Sequence, residues 1–162
     1  MTVGAIDAAL RRLELDALYA DYVHCLDADR LEEWPEFFAE DCAYRITSAE
    51  NYEAGLPLGL IHATSKNMLK DLVSTLRDAN IYEPQRYRHL ISSLQIDSGE
   101  ADSLDASASF LVVRTMQDGA MTLFAAGRYI DRVVRTDTGW KFAGKQVILD
   151  SRRIDTLLAL PL

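Results

Sequence analysis

What this sequence lacks narrows it first. It has two cysteines and three histidines in 162 residues, and none of the five stands in a C-x-H, C-x-x-H or H-x-x-x-H arrangement. Two positions after Cys25 is Asp27, and two after Cys42 is Tyr44, so the spacing that holds a mixed thiolate–imidazole iron–sulfur cluster is missing. His24, His62 and His89 leave a two-histidine, one-carboxylate iron site open by arithmetic alone. Neither G-x-G-x-x-G nor G-x-x-x-x-G-K-[ST] occurs, which removes the phosphate-cradling loops, and there is no G-x-S-x-G nucleophile elbow. No apolar run approaches the ~20 residues of a membrane span, and the N-terminus lacks a basic stretch followed by an apolar one. The expectation is a cytoplasmic protein with no membrane partner. At this density Cys25 and Cys42 read as reduced thiols rather than a disulfide. Positive charge is scarce too: 17 Lys and Arg against 25 Asp and Glu leave a net charge of −8, which argues against nucleic acid as a partner.

What is present is ordinary globular material, 49% apolar and 26% charged, of a length that points to one domain over residues 1–162. The charge is uneven. Residues 128–153 hold Arg128, Arg132, Arg135, Lys141, Lys145, Arg152 and Arg153 against Asp131, Asp137 and Asp150, so this segment is +4 and the remainder −12. Either cations guard a sheet edge, or they form a docking surface for an acidic subunit.

Residues 5–27 read as a helix with two apolar stripes, Leu10, Leu13, Ala17, Ala20 and His24 on one side and Leu15, Leu18, Tyr22 and Leu26 on the other. A helix apolar on two sides is usually sandwiched. Asp29 and Glu32 have capping-box spacing ahead of a short second helix carrying Leu31, Trp34, Phe37 and Phe38; Pro35 is tolerated only near a first turn. Cys42 to Ile46 reads as a strand, and Ser48 to His62 as a loop. Thr64 or Ser65 caps a third helix with the stripe Met68, Leu69, Leu72, Val73 and Leu76, stopping near Asn80. Then come four strands, Arg86–Ile96, Leu104–Met116, Met121–Thr136 and Trp140–Asp150, with turns at Asp97-Ser98-Gly99, Asp118-Gly119 and Thr136-Asp137-Thr138-Gly139. The third of these strands is apolar on both faces: Phe124, Ala126, Ile130 and Val134 on one, Leu123, Ala125, Tyr129 and Val133 on the other. A sheet with one wet face does not read this way. Helices followed by long antiparallel strands make an α+β domain, and a curved sheet wrapped around the N-terminal helices accounts for the two-sided pattern. That description resembles the cone-shaped fold of nuclear transport factor 2 and its SnoaL-like relatives.

Two constellations are candidates for chemistry or contact. His24 lies three residues from both Asp21 and Asp27, and a carboxylate neighbour would orient its imidazole for acid–base work; the plainer alternative is a histidine satisfied by that carboxylate. In Arg86-Tyr87-Arg88-His89 a strand puts Arg86 and Arg88 on one face and Tyr87 and His89 on the other, for cross-strand pairing or for a subunit contact.

Taken together, Tyr22 through Asp27, Trp34 through Tyr44, Ser65 through Asp71, Tyr87-Arg88-His89 and the hairpin from Gly127 to Asp150 resemble the small (β) subunit of aromatic-ring-hydroxylating Rieske dioxygenases. Within that family, Ala79-Asn80-Ile81-Tyr82-Glu83 and the ending Asp155 to Leu162 look most like the terephthalate dioxygenase small subunit, and Tyr19 to Lys70 also resembles small subunits of salicylate hydroxylases. The resemblance implies an assembly of three α and three β chains that hydroxylates an aromatic carboxylate. In it the Rieske [2Fe-2S] cluster and mononuclear Fe(II) belong to the α partner, and the β chain has no catalytic residue. On this reading the interface would draw on Arg86, Arg88, His89, Arg128, Tyr129, Arg132 and Trp140. The rival reading is a stand-alone dehydratase or isomerase of the same fold, with His24 and Asp21 or Asp27 as its acid–base centre.

Overall fold

The computed structural model describes residues 3–78, 83–152 and 161–162. The expected helix stop at Asn80, the basic Arg153 and the tail segment Asp155 to Leu160 lie outside the described residues. The chain opens with a 25-residue helix, α1 (Val3–Asp27). Its buried residues Leu15, Leu18, Tyr19, Tyr22, Val23 and Leu26 follow 3.6-residue spacing and form one stripe against the sheet. The expected stripe of Leu10, Leu13, Ala17, Ala20 and His24 is not covered by the described chain: all five residues are exposed.

The helix ends where Asp29 takes a left-handed backbone, φ 57°. The capping-box expectation fails at this point. Asp29 and Glu32 cap nothing; both carboxylates grip the Arg77 guanidinium, at 3.0 and 2.8 Å. In place of the expected second helix there is a single 3₁₀ turn, Trp34–Phe37, with Pro35 in its first positions. A strand, β1 (Phe38–Ser48), runs straight on from it. The loop after β1 contains one short helix, α2 (Ala49–Glu53), whose Ser48 side chain accepts from the Asn51 amide. It then returns through β2 (Ile61–Ala63) to α3 (Lys66–Asp78). Ser65 caps α3 by accepting from the Met68 amide at 3.3 Å, and Leu69, Val73 and Leu76 face inward.

Four long strands complete the chain: β3 (Gln85–Glu100), β4 (Ser103–Met116), β5 (Met121–Thr136) and β6 (Gly139–Leu149). The sheet order is β2-β1-β6-β5-β4-β3, and the sheet curves around α1 without closing. It is mixed rather than purely antiparallel, because β1 pairs with β6 in parallel. The expected turn at Asp97-Ser98-Gly99 is instead ladder, and the chain reverses two residues later at Ala101-Asp102. Gly99, with φ 139°, lies just before that reversal, where a Cβ would fall 2.3 Å from the Ser103 carbonyl oxygen. An irregularity between Val112 and Val113 opposite β5 shifts the alternation there, so Leu123 is exposed while Ala125, Tyr129 and Val133 face the core.

Candidate functional site: the interior of the cone

On the inner face of the sheet, register alone brings a carboxylate beside an ammonium. Asp131 on β5 pairs with Lys145 on β6, and Lys145 pairs with Tyr44 on β1. All three side chains point at α1, which contributes Tyr19 and Tyr22. The Lys145 Nζ lies 2.9 Å from Asp131 Oδ2, and neither side chain has exposed surface. Four rings surround the ammonium, with centroids at 3.6 Å for Tyr129, 4.4 Å for Phe142, 4.7 Å for Tyr22 and 4.9 Å for Tyr19, close enough for cation–π attraction. The Tyr19 hydroxyl donates to the same Asp131 oxygen. Burial pushes the Asp131 carboxyl up and the Lys145 ammonium down from their ordinary values, while each partner opposes the other's shift. The same burial holds the phenols of Tyr19, Tyr22 and Tyr44 above their usual range.

Beside this pair the cone holds another part of the chain. The Leu162 carbonyl accepts from the Tyr22 hydroxyl at 2.9 Å and from the Tyr44 hydroxyl at 3.0 Å, and the Leu162 amide reaches the Tyr44 oxygen at 3.0 Å. The Leu162 side chain is wholly buried among the core residues.

The structure separates the residues of the expected acid–base centre. Asp27 turns inward and receives the His89 amide at 3.1 Å and the His89 Nδ1 at 2.7 Å, with Arg88 at 3.7 Å. His24 faces away, into an open cleft of about 370 Å³ between α1 and β3, bordered by Arg12, Asp16, Ile91 and Ser93. It bonds neither Asp21 nor Asp27. The i±3 spacing on one helix is as expected, but the carboxylate's partner comes from β3, 62 residues away.

The residues expected at an interface divide by face. Arg86, Arg88, Arg128 and Arg132 are exposed on the outer side of the sheet. His89, Tyr129 and Trp140 are buried within the chain itself; Trp140 donates through Nε1 to Glu14 at 2.8 Å. Their side chains therefore pack within the chain's own core. Most of the basic excess of residues 128–153 is also engaged internally: Arg132 with Asp105, Arg135 with Glu14, Lys145 with Asp131 and Arg152 with Glu50. Lys141 donates to the Glu36 carbonyl. Sequence reasoning misses the Asp131–Lys145 pair, though a signal exists. Asp131 shares strand parity with Ala125, Tyr129 and Val133, and a charged residue in an inward row needs a buried partner.

Among the described residues no three His, Cys, Asp or Glu side chains gather as a metal would require. The described residues bring together no ligand set that would fit a Rieske cluster or a mononuclear iron.

An open, curved sheet wrapped over a long N-terminal helix is the architecture of the SnoaL-like class, and residues 7–145 match the profile of the family described as "SnoaL-like domain". The chain is 45% identical over 92% of its length to the anthranilate 1,2-dioxygenase small subunit of Burkholderia cepacia, covering 92% of that protein. It is 40% identical over 94% of its length to subunit beta 1 of the terminal oxygenase component of terephthalate 1,2-dioxygenase from a Comamonas species, covering 99% of it. A solved beta subunit assigned to an aromatic-ring-hydroxylating dioxygenase of Novosphingobium aromaticivorans superposes with a TM-score of 0.88 at 39% identity, covering 96% of this chain and 99% of that one. The chain belongs to the family of small subunits of aromatic-ring dioxygenases.

Proposed function

We propose that this chain is a single-domain, cytoplasmic and non-catalytic subunit of the terminal oxygenase of an aromatic-ring-hydroxylating dioxygenase. It works in an assembly of three large and three small chains, with the Rieske cluster and the mononuclear iron carried by the large subunit. The reaction of the whole is the dihydroxylation of an aromatic carboxylate such as terephthalate. Anthranilate and terephthalate, for which the two similar subunits are named, are both aromatic carboxylates.

The observation that carries the non-catalytic reading is the burial of the polar groups on the inner face. Several inward polar groups engage one another or the backbone: Lys145 lies against Asp131 and four rings, Asp131 accepts from Tyr19, and Tyr22 and Tyr44 meet Leu162. None has surface from which to meet a substrate, and a general acid or base must come within hydrogen-bond reach of the atom it serves. The dehydratase reading would need His24 and a carboxylate acting together, and Asp27 is committed to His89.

The test is co-expression with the large subunit, followed by purification and product analysis. His24→Ala and Asp21→Asn, both at exposed positions, are expected to leave turnover within twofold of the parent and the complex intact. Loss of turnover in an intact complex, or turnover of a small substrate by this chain alone, would overturn the reading.

A further inference from the structure

We propose that the cleft between α1 and β3 is a binding site for a small aromatic carboxylate, whose acid group meets the free edge of the Arg12 guanidinium and whose ring lies along Ala20, Val23, Ile91 and Leu94. The proposal rests on the small-subunit reading above and deepens it, giving this chain its own contact with the substrate class proposed for the whole.

Where β3 borders the cleft it breaks its own alternation. Tyr87 and His89 are buried and Ile91 packs against the core, so steps of two make Ser93 the next inward position. Between the pairs Ser92–Ser109 and Gln95–Ser107, however, Ser93 and Leu94 together oppose Ala108 alone. That extra residue is a bulge, a device that re-aims side chains beside sites. It gives the inward place to Leu94, which is buried, and leaves Ser92 and Ser93 both exposed. Ser93 takes a left-handed backbone, φ 54°, a conformation that residues with a Cβ avoid and that collects at ligand sites.

Size and walls narrow the occupant. The cleft's volume of about 370 Å³ is at the small end for ligand pockets, which run about 300–1,000 Å³. It suits a one-ring compound and not a dinucleotide. Ala20 and Val23 from α1 and Ile91 and Leu94 from β3 supply apolar wall, and Ser92 and Ser93 line it with hydroxyls.

Charge selects its functional group. The cleft's one carboxylate, Asp16, is engaged by its one guanidinium: Arg12 Nε donates to the two Asp16 oxygens at 3.2 and 3.0 Å. This contact orients Arg12 but leaves its two terminal nitrogens without a partner among the described residues. A planar guanidinium takes a carboxylate bidentately, so a ligand acid and Asp16 can hold different edges of one ion. The chain's net charge of −8 works against any anion, yet exposed charges are screened beyond about 10 Å at 0.1 M salt. Local contacts therefore decide. An acid without a ring gains the guanidinium alone, and a ring without an acid gains the walls alone.

The test titrates benzoate, benzamide and acetate into the full chain. Affinity is measured by calorimetry, the site is read from backbone amide shifts, and fold is checked by circular dichroism. Benzoate is expected to bind saturably and to move the Ser92 and Ser93 amide signals, with benzamide and acetate weaker by about tenfold or more. Arg12→Gln should weaken benzoate by about tenfold or more. Ala20→Trp, at an exposed helix position, should fill the cleft and abolish binding. Arg11→Gln removes the same charge from a neighbour outside the cleft lining and should stay within about twofold of the parent. Absence of saturable benzoate binding, or equal affinity for benzamide or acetate, overturns the proposal. So does an Arg12→Gln or Ala20→Trp variant that binds as the parent does, or an Arg11→Gln variant as weak as Arg12→Gln. Co-purification with the large subunit separates the two readings: a chain that binds no benzoate and still binds that subunit sinks this site and leaves the subunit assignment standing.

Discussion

The Tyr44 hydroxyl donates to the carbonyl of Leu162 and accepts from its amide, both at 3.0 Å. One side chain on β1 therefore meets both the backbone oxygen and the amide of a residue 118 positions away, and both residues are wholly buried. Tyr22 adds a second donor to the carbonyl. The two phenols are not equivalent. Tyr22→Phe leaves the carbonyl with one donor and should cost about 0.5–1.5 kcal/mol, whereas Tyr44→Phe also strands a buried amide and should cost about 1–3 kcal/mol. Leu162→Ala removes a buried side chain at about 2–5 kcal/mol. Thermal melts of the three variants are expected to fall in that order, by roughly 2–4 °C per kcal/mol for a chain of this length. A Tyr44→Phe melt equal to the parent's would show that Leu162 is not seated between the phenols.

Gly127 marks a second buried approach. A Cβ at this position would lie 2.0 Å from the Ile148 carbonyl oxygen and 3.2 Å from the Leu149 Cα, because β5 and β6 pass here with Gly127 opposite Leu149. Both close atoms are backbone and cannot swing aside. Gly127→Ala should cost about 1–3 kcal/mol or more, read by urea denaturation as a lower midpoint. A glycine inside a strand is a sequence signal for such an approach, and an unchanged midpoint would remove the clash as its reason.

The outline of the fold is legible in the sequence because it depends on local pattern. The bounds of β5, Met121–Thr136, match the apolar alternation closed by its two glycine turns, and Ser65 caps α3 as its position implies. The features that are not legible depend on which surface meets which. Leu10 and Leu13 have the spacing of a buried stripe, yet only the sheet's placement decides which side of α1 is covered. Asp29 and Glu32 have capping-box spacing, yet Arg77 from α3 claims both. The candidate site shows the same limit. His24 and Asp27 share a helix, but His89 from β3 takes the carboxylate. The parallel pairing of β1 with β6 joins segments about 100 residues apart, and no local pattern announces it.

Cys25 and Cys42 are free and buried. The Cys25 thiol donates to the Arg30 carbonyl at 3.0 Å, and burial pushes its pKa up to about 11, with Cys42 raised for the same reason. At pH 8 a thiol with that pKa is about one part in a thousand thiolate, and the thiolate is the nucleophile. A disulfide-exchange reagent at pH 8 is expected to react slowly with the native chain and at once with two thiols in denaturant. Rapid reaction of either thiol in the native chain would contradict its burial.

Lys145 and Asp131 give the strongest pH prediction. The pair is sealed from solvent, so removing one partner leaves a lone charge in a place that disfavours it. Lys145→Met should cost about 3–5 kcal/mol near neutral pH. Burial already raises the Asp131 carboxyl, and the ammonium is the largest influence opposing that rise; without it the carboxyl rises further. A carboxyl raised in the folded state binds its proton more tightly there than in the unfolded chain, whose value is about 3.9. Its stabilising contribution is complete below that unfolded value and is lost as pH climbs through the folded one. The Lys145→Met penalty should therefore be greater at pH 8 than at pH 5, measured as the difference in urea unfolding free energy from the parent at each pH. Adding Asp131→Asn removes the titrating carboxyl, so the double variant should recover stability at pH 8 and lose the extra pH dependence of the single variant. A Lys145→Met penalty equal at both pH values, or a double variant no more stable than the single one at pH 8, would mean that Asp131 does not depend on this ammonium for its charge.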